Sequence, residues 1–219
     1  MSLSVVIPTL NAAAGLPGTL GALGTAPDEV LVVDGGSEDG TAAMARAAGA
    51  RVLSAPRGRG SQLAAGIAVA RGPWLLLLHA DTSLGPGWER AASAHRVNPS
   101  SAGYFRFALD SLDPRARRLE RAVAWRCRTL ALPYGDQGLL IHRDVLARVG
   151  GVRPLPLMED VDLVRRLGRS RLTPLAADAV TSASRWERDG WRRRSARNLV
   201  CLALWFGGVP PGLIARAYR

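Results

Sequence analysis

The sequence contains no lysine: all 29 of its basic residues are arginine, and against 18 acidic residues they give a net charge of +11. A surface this basic attracts anions such as nucleotides, phospholipid headgroups or nucleic acid. The signatures of nucleic-acid binding are missing too, since the chain has no zinc-ligand spacing, no aromatic RNA-binding motif and no heptad zipper. We therefore expect anionic partners other than nucleic acid.

Cysteine is scarce: Cys127 and Cys201 are the two in 219 residues, each in an apolar, helix-like context. This excludes a disulfide framework or a cysteine-built metal site and predicts free buried thiols in a reducing compartment. Long apolar runs are also lacking, because 74–78 and 199–209 fall short of the roughly 20 residues that span a bilayer. With no signal-peptide pattern at the start, we expect a cytoplasmic protein, soluble or peripheral to the inner membrane.

Apolar runs alternate with helical patterns along the chain. Predicted strands cover 3–7, 29–33, 51–54, 74–78, 103–109, 138–141 and 172–176. Predicted helices cover 12–23 (capped by Asn11), 41–48, 60–70, 115–132, 144–149, 159–167 and 191–206. Because the first strands are apolar throughout, they predict an α/β fold with a single Rossmann-like, mostly parallel sheet, helices on both faces and a helical C-terminal segment.

Ligands of such sheets bind outside the carboxyl ends of the strands, where Pro8-Thr9, Asp34 and Asp81 fall. Asp34, followed by Gly35, is suited to accept hydrogen bonds from a base or ribose, or it simply makes a strand-to-helix turn. Asp81 follows four leucines and suits Mg²⁺ or Mn²⁺ bridging diphosphate oxygens. The alternative is a helix cap before Pro86.

A second acidic group, Glu159, Asp160 and Asp162, begins a predicted helix. The helix dipole alone favours acids there. The functional interpretation is a general base that deprotonates a hydroxyl, for which Asp160 is preferred, although spacing does not choose among the three. Arg57 and Arg59 flank a glycine and suit diphosphate recognition, or they are solvated surface charges.

Histidines and tryptophans supply weaker signals. His79 adjoins the predicted site, whereas His95 is expected at the surface. Arg185 and Trp186 belong to a basic aromatic stretch that suits a sugar acceptor, a phosphate or a membrane surface, with a solvated helix start as the plain alternative.

Six segments taken in order resemble the inverting family-2 glycosyltransferases with the GT-A fold. They are Val6-Ile7-Pro8-Thr9-Leu10-Asn11, Val32-Val33-Asp34-Gly35-Gly36-Ser37-Glu38-Asp39-Gly40-Thr41, Leu78-His79-Ala80-Asp81-Thr82, Tyr134-Gly135-Asp136-Gln137-Gly138, Met158-Glu159-Asp160-Val161-Asp162-Leu163 and Ser184-Arg185-Trp186-Glu187. The set covers nearly the whole chain. It is most similar to the bacterial subgroup called radical-SAM/selenodomain-associated transferase 2, also labelled arsenosugar-biosynthesis-type glycosyltransferases.

The resemblance implies inverting transfer of a sugar from a nucleotide diphosphate sugar, with a UDP-sugar favoured, to a small-molecule or lipid-linked acceptor, assisted by Mn²⁺ or Mg²⁺. By it, Asp81 binds the metal and Asp160, beside Glu159, is the catalytic base. The implied donor-binding residues are Pro8, Thr9, Asn11, Asp34, Gly35, Arg57, Arg59, Gln62, His79 and Ala80. The implied acceptor residues are Tyr134, Gly135, Asp136, Gln137, Arg185 and Trp186.

One domain, 1–219, is expected, with a nucleotide-sugar half (1–82), an acceptor and catalytic half (83–190) and a helical segment (191–219). The chain departs from the family in three places. His79 takes the first Asp-X-Asp position, so the metal site rests mainly on Asp81. Ala12 replaces a frequent Glu, and Ser182 replaces the Gln of processive synthases, which argues against processive synthesis.

Other classes explain the sequence less well. A nucleotidyltransferase usually carries a Gly-rich basic loop after its first strand, where this chain has Pro8-Thr9. A dinucleotide oxidoreductase needs Gly-X-Gly-X-X-Gly there. A non-catalytic basic adaptor for membranes or nucleic acid accounts for the charge but not for the acidic residues at strand ends. The oligomeric state stays open.

Overall fold

A computed structural model describes residues 2–218 and contains one eight-stranded sheet. The strands are β1 (Leu3–Thr9), β2 (Glu29–Asp34), β3 (Arg51–Ser54), β4 (Trp74–Leu77), β5 (Thr82–Leu84), β6 (Ala102–Leu109), β7 (Leu139–His142) and β8 (Leu172–Thr181). Their order across the sheet is β3-β2-β1-β4-β7-β6-β8-β5. The sheet therefore includes strands from both predicted halves of the chain.

Ten helices accompany the sheet within the described residues. They are α1 (Leu16–Leu23), α2 (Thr41–Ala47), α3 (Arg59–Val69), α4 (Trp88–His95), α5 (Pro114–Leu130), α6 (Arg143–Arg148), α7 (Glu159–Leu167), α8 (Ser184–Asp189), α9 (Trp191–Phe206) and α10 (Pro211–Tyr218). Across residues 2–218, no helix combines the length and apolarity needed to cross a membrane.

The direction of the strands changes at β4. Strands β3, β2, β1 and β4 are parallel neighbours, whereas β7 pairs antiparallel with both β4 and β6. Beyond them β6 and β8 run parallel, and β5 is antiparallel to β8. The α/β prediction with a mostly parallel sheet is confirmed, since four of the seven pairings in the described chain are parallel. The strand order reverses between β1 and β4, where α/β sheets form their ligand crevice.

Helices cover both faces because side chains alternate along each strand. Leu3, Val5 and Ile7 of β1 pack with α1, α2 and α4, whereas Val6 packs on the opposite face with α3, α6 and α7. A third apolar cluster joins β6 to α5, α8 and α9. Cys127 lies in that cluster, and both cysteines are free and buried, as predicted.

The prediction that Asn11 caps a helix beginning at residue 12 is wrong. The helix α1 begins at Leu16, four residues later than the first predicted helical residue. Asn11 adopts a left-handed backbone conformation (φ 49°), and its Oδ1 accepts the Glu38 backbone N–H at 2.9 Å. Asn11 therefore ties the β1–α1 loop to the β2–α2 loop instead of starting a helix.

Candidate active site

A cavity of about 130 Å³ lies beyond the carboxyl end of β4, and eight of the predicted site residues line it. They are Arg59, His79, Asp81, Tyr134, Asp136, Asp160, Arg185 and Trp186. They come from the end of β4, the starts of α3, α7 and α8, and the turn that precedes β7. We call this cavity the cleft. Asp81 and Asp160, far apart in sequence, therefore face one space.

Asp160 is held at the first turn of α7, which follows Met158 in a left-handed conformation (φ 65°). Its Oδ2 accepts the Gly135 backbone N–H at 2.8 Å, and its Oδ1 accepts the Val161 N–H at 2.8 Å. Burial raises the pKa of Asp160, but the Arg59 guanidinium and the Gly135 N–H outweigh burial and hold the pKa below its ordinary value. Asp160 is therefore a carboxylate at neutral pH, able to accept a proton.

Gly135 fits its position because it lacks a side chain. A Cβ at this residue would lie 2.5 Å from Nε2 of His79 and 3.2 Å from Oδ2 of Asp160. Contacts under 3.0 Å force a shift of one partner, so any side chain here displaces His79 or the carboxylate. Gly135 and Glu159 also line a small apolar cavity of about 30 Å³ beside the cleft.

Glu159 is only 1% exposed and connects α7 to α3. Arg59, the first residue of α3, places its Nε 2.8 Å from Oε1 of Glu159. Burial raises the pKa of Glu159 to about 7, although the Arg59 guanidinium acts in the opposite direction. Glu159 therefore holds the guanidinium of Arg59, a residue that also lines the cleft.

Asp81 and His79 occupy the strand end itself. Oδ2 of Asp81 lies 3.2 Å from Nη2 of Arg185, and the Asp81 backbone carbonyl accepts the Ser182 N–H at 3.2 Å. Burial, with Arg59 nearby, lowers the pKa of His79 to about 4. The imidazole is therefore neutral at physiological pH and adds no positive charge to the cleft.

Asp136 is the least satisfied acid of the cleft. Burial raises its pKa to about 6 despite the neighbouring Arg126 guanidinium, and its buried Oδ1 has no hydrogen-bond partner. Tyr134, two residues earlier, stacks under the Arg126 guanidinium at 3.5 Å from its ring centroid.

Asp34 is 6% exposed and lies at the end of β2, and it does not line the cleft. Its two oxygens accept the N–H groups of Gly36 (3.1 Å) and Ser37 (2.9 Å), the Ser37 hydroxyl, and the Thr9 hydroxyl at 3.0 Å. Burial raises the pKa of Asp34, but these hydrogen bonds lower it further than burial raises it. Asp34 therefore shapes the turn after β2 from within the protein.

Gln62 secures the same sheet edge. Its Nε2 donates to the backbone carbonyls of Thr9 and Val33, both at 2.7 Å, and Gly35 approaches its side chain so closely that a Cβ would lie 3.1 Å away. Gln62 is 2% exposed. Its amide hydrogens are thus committed to strands β1 and β2, and they are not presented to the cleft.

Other predicted residues lie outside the cleft lining. Pro8 is buried in β1, Arg57 is exposed, and the Ala80 carbonyl accepts the Thr19 hydroxyl at 2.9 Å. Gln137 is buried, and its Nε2 donates to the Phe105 carbonyl at 3.0 Å. These residues support the walls of the site, and contact of any of them with a ligand stays a prediction.

The sequence reasoning missed one wall of the cleft, which α9 supplies. Arg194, Asn198, Cys201 and Leu202 all line the cavity. Their spacing of four, three or four residues places them on one helical face. That periodicity, with polar residues followed by apolar ones, was the signal available in the sequence.

No group of three metal-ligating side chains occurs among residues 2–218. Two carboxylates, Asp81 and Asp136, nevertheless line the same cavity, and the buried Oδ1 of Asp136 lacks a partner. Mg²⁺-like ions are usually bound by one or two carboxylates together with substrate phosphates. The residues therefore fit a cation that arrives with a diphosphate.

Solved structures share this fold. One is glucosyl-3-phosphoglycerate synthase from Mycobacterium tuberculosis in complex with Mn²⁺ and UDP-glucose. The match has a TM-score of 0.59 and 20% identity, and it covers 83% of this chain and 69% of that one. It matches S. aureus TarS (residues 1–349) with a TM-score of 0.61 and 16% identity, over 82% of this chain and 60% of that one. These likenesses confirm the GT-A fold.

Sequence comparison gives the family. Uncharacterized glycosyltransferases of Mycobacterium tuberculosis and Mycobacterium bovis are each 40% identical over 87 residues, which span 39% of this chain and 39% of each relative. Residues 4–136, more than half of the chain, match the family described as Glycosyl transferase family 2. With the fold, the cleft and this match in agreement, the chain belongs to glycosyl transferase family 2.

Proposed function

We propose that this transferase moves a sugar from a UDP-sugar to an acceptor hydroxyl with inversion at the anomeric carbon. The observation that carries the proposal is the position of Asp160: an ionised carboxylate, fixed by the Gly135 N–H, in the same cavity as Asp81. A base on one side and a leaving-group site on the other are what a single displacement requires.

The reaction follows from this arrangement. The acceptor oxygen attacks the anomeric carbon while its proton passes to a carboxylate oxygen of Asp160. The bond from the anomeric carbon to the diphosphate oxygen breaks, and its electron pair leaves with UDP. Because attack and departure occur on opposite faces of the sugar, the configuration inverts. The low pKa of Asp160 means that it takes the proton only as the new bond forms.

Asp81 is proposed to hold Mn²⁺ or Mg²⁺ delivered with the donor, as the Mn²⁺ and UDP-glucose complex of the M. tuberculosis synthase supports. Such an ion supplies Lewis-acid stabilisation of the departing diphosphate. Arg59 and Arg185 line the same cavity and add positive charge where the diphosphate would lie. Arg185, now 3.2 Å from Asp81, is the group positioned to turn towards phosphate oxygens.

Asp34 is proposed to act on the donor indirectly, by fixing the 35–37 turn against β1. We further propose membership of the radical-SAM/selenodomain-associated transferase 2 subgroup, a cytoplasmic location and one catalytic domain over 1–219. The six ordered sequence segments support the subgroup, and the single sheet that unites residues 3–181 supports one domain.

Metal-dependent hydrolysis of nucleotide sugars tests the proposal. We expect Asp160→Asn to lower the rate about 10²- to 10⁴-fold, the usual contribution of a general base. Asp144→Asn, an exposed acid of α6, is the matched control and should keep the wild-type rate. If Asp160→Asn hydrolyses nucleotide sugars at the wild-type rate, Asp160 is not the base. If the wild-type protein turns over no nucleotide sugar, the proposed function is wrong.

A further inference from the structure

Two buried polar atoms at the α9 end of the cleft have no hydrogen-bond partner: Nε1 of Trp186 and Oδ1 of Asn198. Both residues line the cleft, and Trp186 is 8% exposed. Buried polar atoms are nearly always paired in folded proteins, so each exception needs an explanation. A hydroxyl group is both donor and acceptor. A hydroxyl-bearing ligand therefore matches the indole N–H and the amide oxygen together.

An apolar groove of about 540 Å³ continues along the outer side of α9. Its wall includes Leu130, Leu132, Val164, Leu199, Leu202 and Phe206. Leu130, Leu199 and Phe206 are 53%, 65% and 48% exposed. Exposed apolar residues gathered in one groove mark binding surfaces more often than scattered ones do. The groove is therefore a candidate site for an apolar chain.

The cleft and the groove meet at Leu202, which lines both. Asn198 and Phe206 lie eight positions apart on α9, which corresponds to about 12 Å at 1.5 Å per residue. A single extended ligand is thus able to place a polar head beside Asn198 and a chain beside Phe206.

Charge at the groove disfavours a second copy of this protein as its occupant. Arg165 lies 4.9 Å from the Phe206 ring centroid, and Arg169 donates to the backbone carbonyl of Arg128 at 2.8 Å. Both arginines line the groove, in a chain of net charge +11. Two copies would bring like charges together, whereas an anionic lipid surface, from which an amphiphile is drawn, complements this rim.

We propose that the acceptor is an amphiphile whose hydroxyl-bearing head occupies the α9 end of the cleft and whose apolar chain lies in the groove. This inference rests on the proposed glycosyl transfer and names its acceptor class. The head contacts Trp186 and Asn198 beside Asp160, and the chain passes Leu202 to reach Phe206.

Alkyl β-D-glucosides with methyl, hexyl and octyl chains, used below their micelle concentrations, test the proposal by calorimetric titration. Burial of a methylene group tightens binding by up to about fourfold, so we expect octyl glucoside to bind at least about tenfold more tightly than methyl glucoside. The double variant Leu199→Ser/Phe206→Ser should lose this dependence on chain length. Leu112→Ser, which changes a fully exposed leucine outside the groove, should retain it.

UDP binding in the presence of Mn²⁺ is measured on the same variants and should not change, because none of the three leucine or phenylalanine positions lines the proposed donor side. If UDP and Mn²⁺ do not bind wild type, the transferase proposal fails while chain-length dependence still reports on the groove. Equal binding of the three glucosides to wild type overturns the amphiphile proposal. The proposal is also overturned if the wild-type protein binds no glucoside and forms a dimer that the double variant converts to a monomer.

Discussion

The turn after β2 and the α9 wall of the cleft differ in whether their buried polar atoms have hydrogen-bond partners. The side chains of Asp34 and Gln62 form their hydrogen bonds inside the protein, with strands β1 and β2 and with the 35–37 turn. Trp186 and Asn198 keep buried atoms without partners. Most buried polar groups of folded proteins have hydrogen-bond partners. The first region holds the sheet edge together, and the contrast supports the proposal that the second receives a ligand.

The largest effect is expected at Gly135, whose backbone N–H binds the proposed base Asp160 beside the cleft. Gly135→Ala places a methyl group 2.5 Å from His79 Nε2, so His79 or Asp160 must move. Misplacement of a catalytic group by about 1 Å costs about 100-fold in rate. The rate of nucleotide-sugar hydrolysis measures this loss. Gly21→Ala in α1 is the control, because a Cβ there meets nothing within 4 Å beyond its own helix turn, and it should keep full activity.

A smaller effect separates the two regions by stability. Gln62→Leu removes two buried hydrogen bonds, to the carbonyls of Thr9 and Val33, which we expect to lower the free energy of unfolding by about 1–3 kcal/mol. Asn198→Leu removes no hydrogen bond formed by residues 2–218 and should change it by less than about 0.5 kcal/mol. Urea denaturation of both variants gives the comparison. Equal losses would mean that Asn198 is as structural as Gln62.

The smallest expected effect is a change in how steeply the free energy of unfolding depends on pH. The pKa of Glu159 is raised in the folded protein from 4.5 to about 7. The folded state then binds more protons than the unfolded state in this range, so the free energy of unfolding falls as pH rises from about 4.5 to 7. Glu159→Gln should flatten this part of the profile, measured by thermal melts. An unchanged slope would show that Arg59 keeps Glu159 ionised throughout.

The first half of the fold was predictable because its information is local. Strand β3 (Arg51–Ser54) has the predicted bounds, and β1, β2 and β4 differ from prediction by one or two residues at one end. Apolar runs bounded by glycine and proline suffice there. In contrast, β5 is three residues long and exists through pairing with β8, nearly 100 residues later. Such a strand depends on tertiary contacts and leaves no periodicity to detect.

The site was predictable in residue type more than in role. Asp160 was preferred as the base among Glu159, Asp160 and Asp162, although their spacing does not choose among them, and the structure distinguishes the three carboxylates by their partners. Glu159 pairs with Arg59, while Asp162 pairs with Arg153 and Arg166. Asp160 alone of the three lines the cleft. Helical spacing places the acids together and gives Asp162 its partner Arg166 four residues later, but Arg59 and Arg153 reach the acids only through tertiary packing.

His95 shows the limit of reading single residues. It was expected at the surface, and that expectation is wrong: it is 9% exposed, its Nε2 lies 3.2 Å from the Ser101 carbonyl, and its ring meets Trp74 edge-on at 5.8 Å. Burial lowers its pKa. The helix α4 that carries it was not predicted, although its buried residues Trp88, Ala92 and His95 follow the i, i+4, i+7 spacing of a helix face.

Calorimetric titration of UDP in the presence of Mn²⁺ or of a chelator tests most directly whether Asp81 holds a metal-bound diphosphate in the cleft. We predict binding that depends on Mn²⁺, at least about tenfold weaker in Asp81→Asn and little changed in Asp160→Asn, since the base contacts the acceptor. Equal UDP affinity with Mn²⁺ and with chelator, or full affinity in Asp81→Asn, would contradict this account.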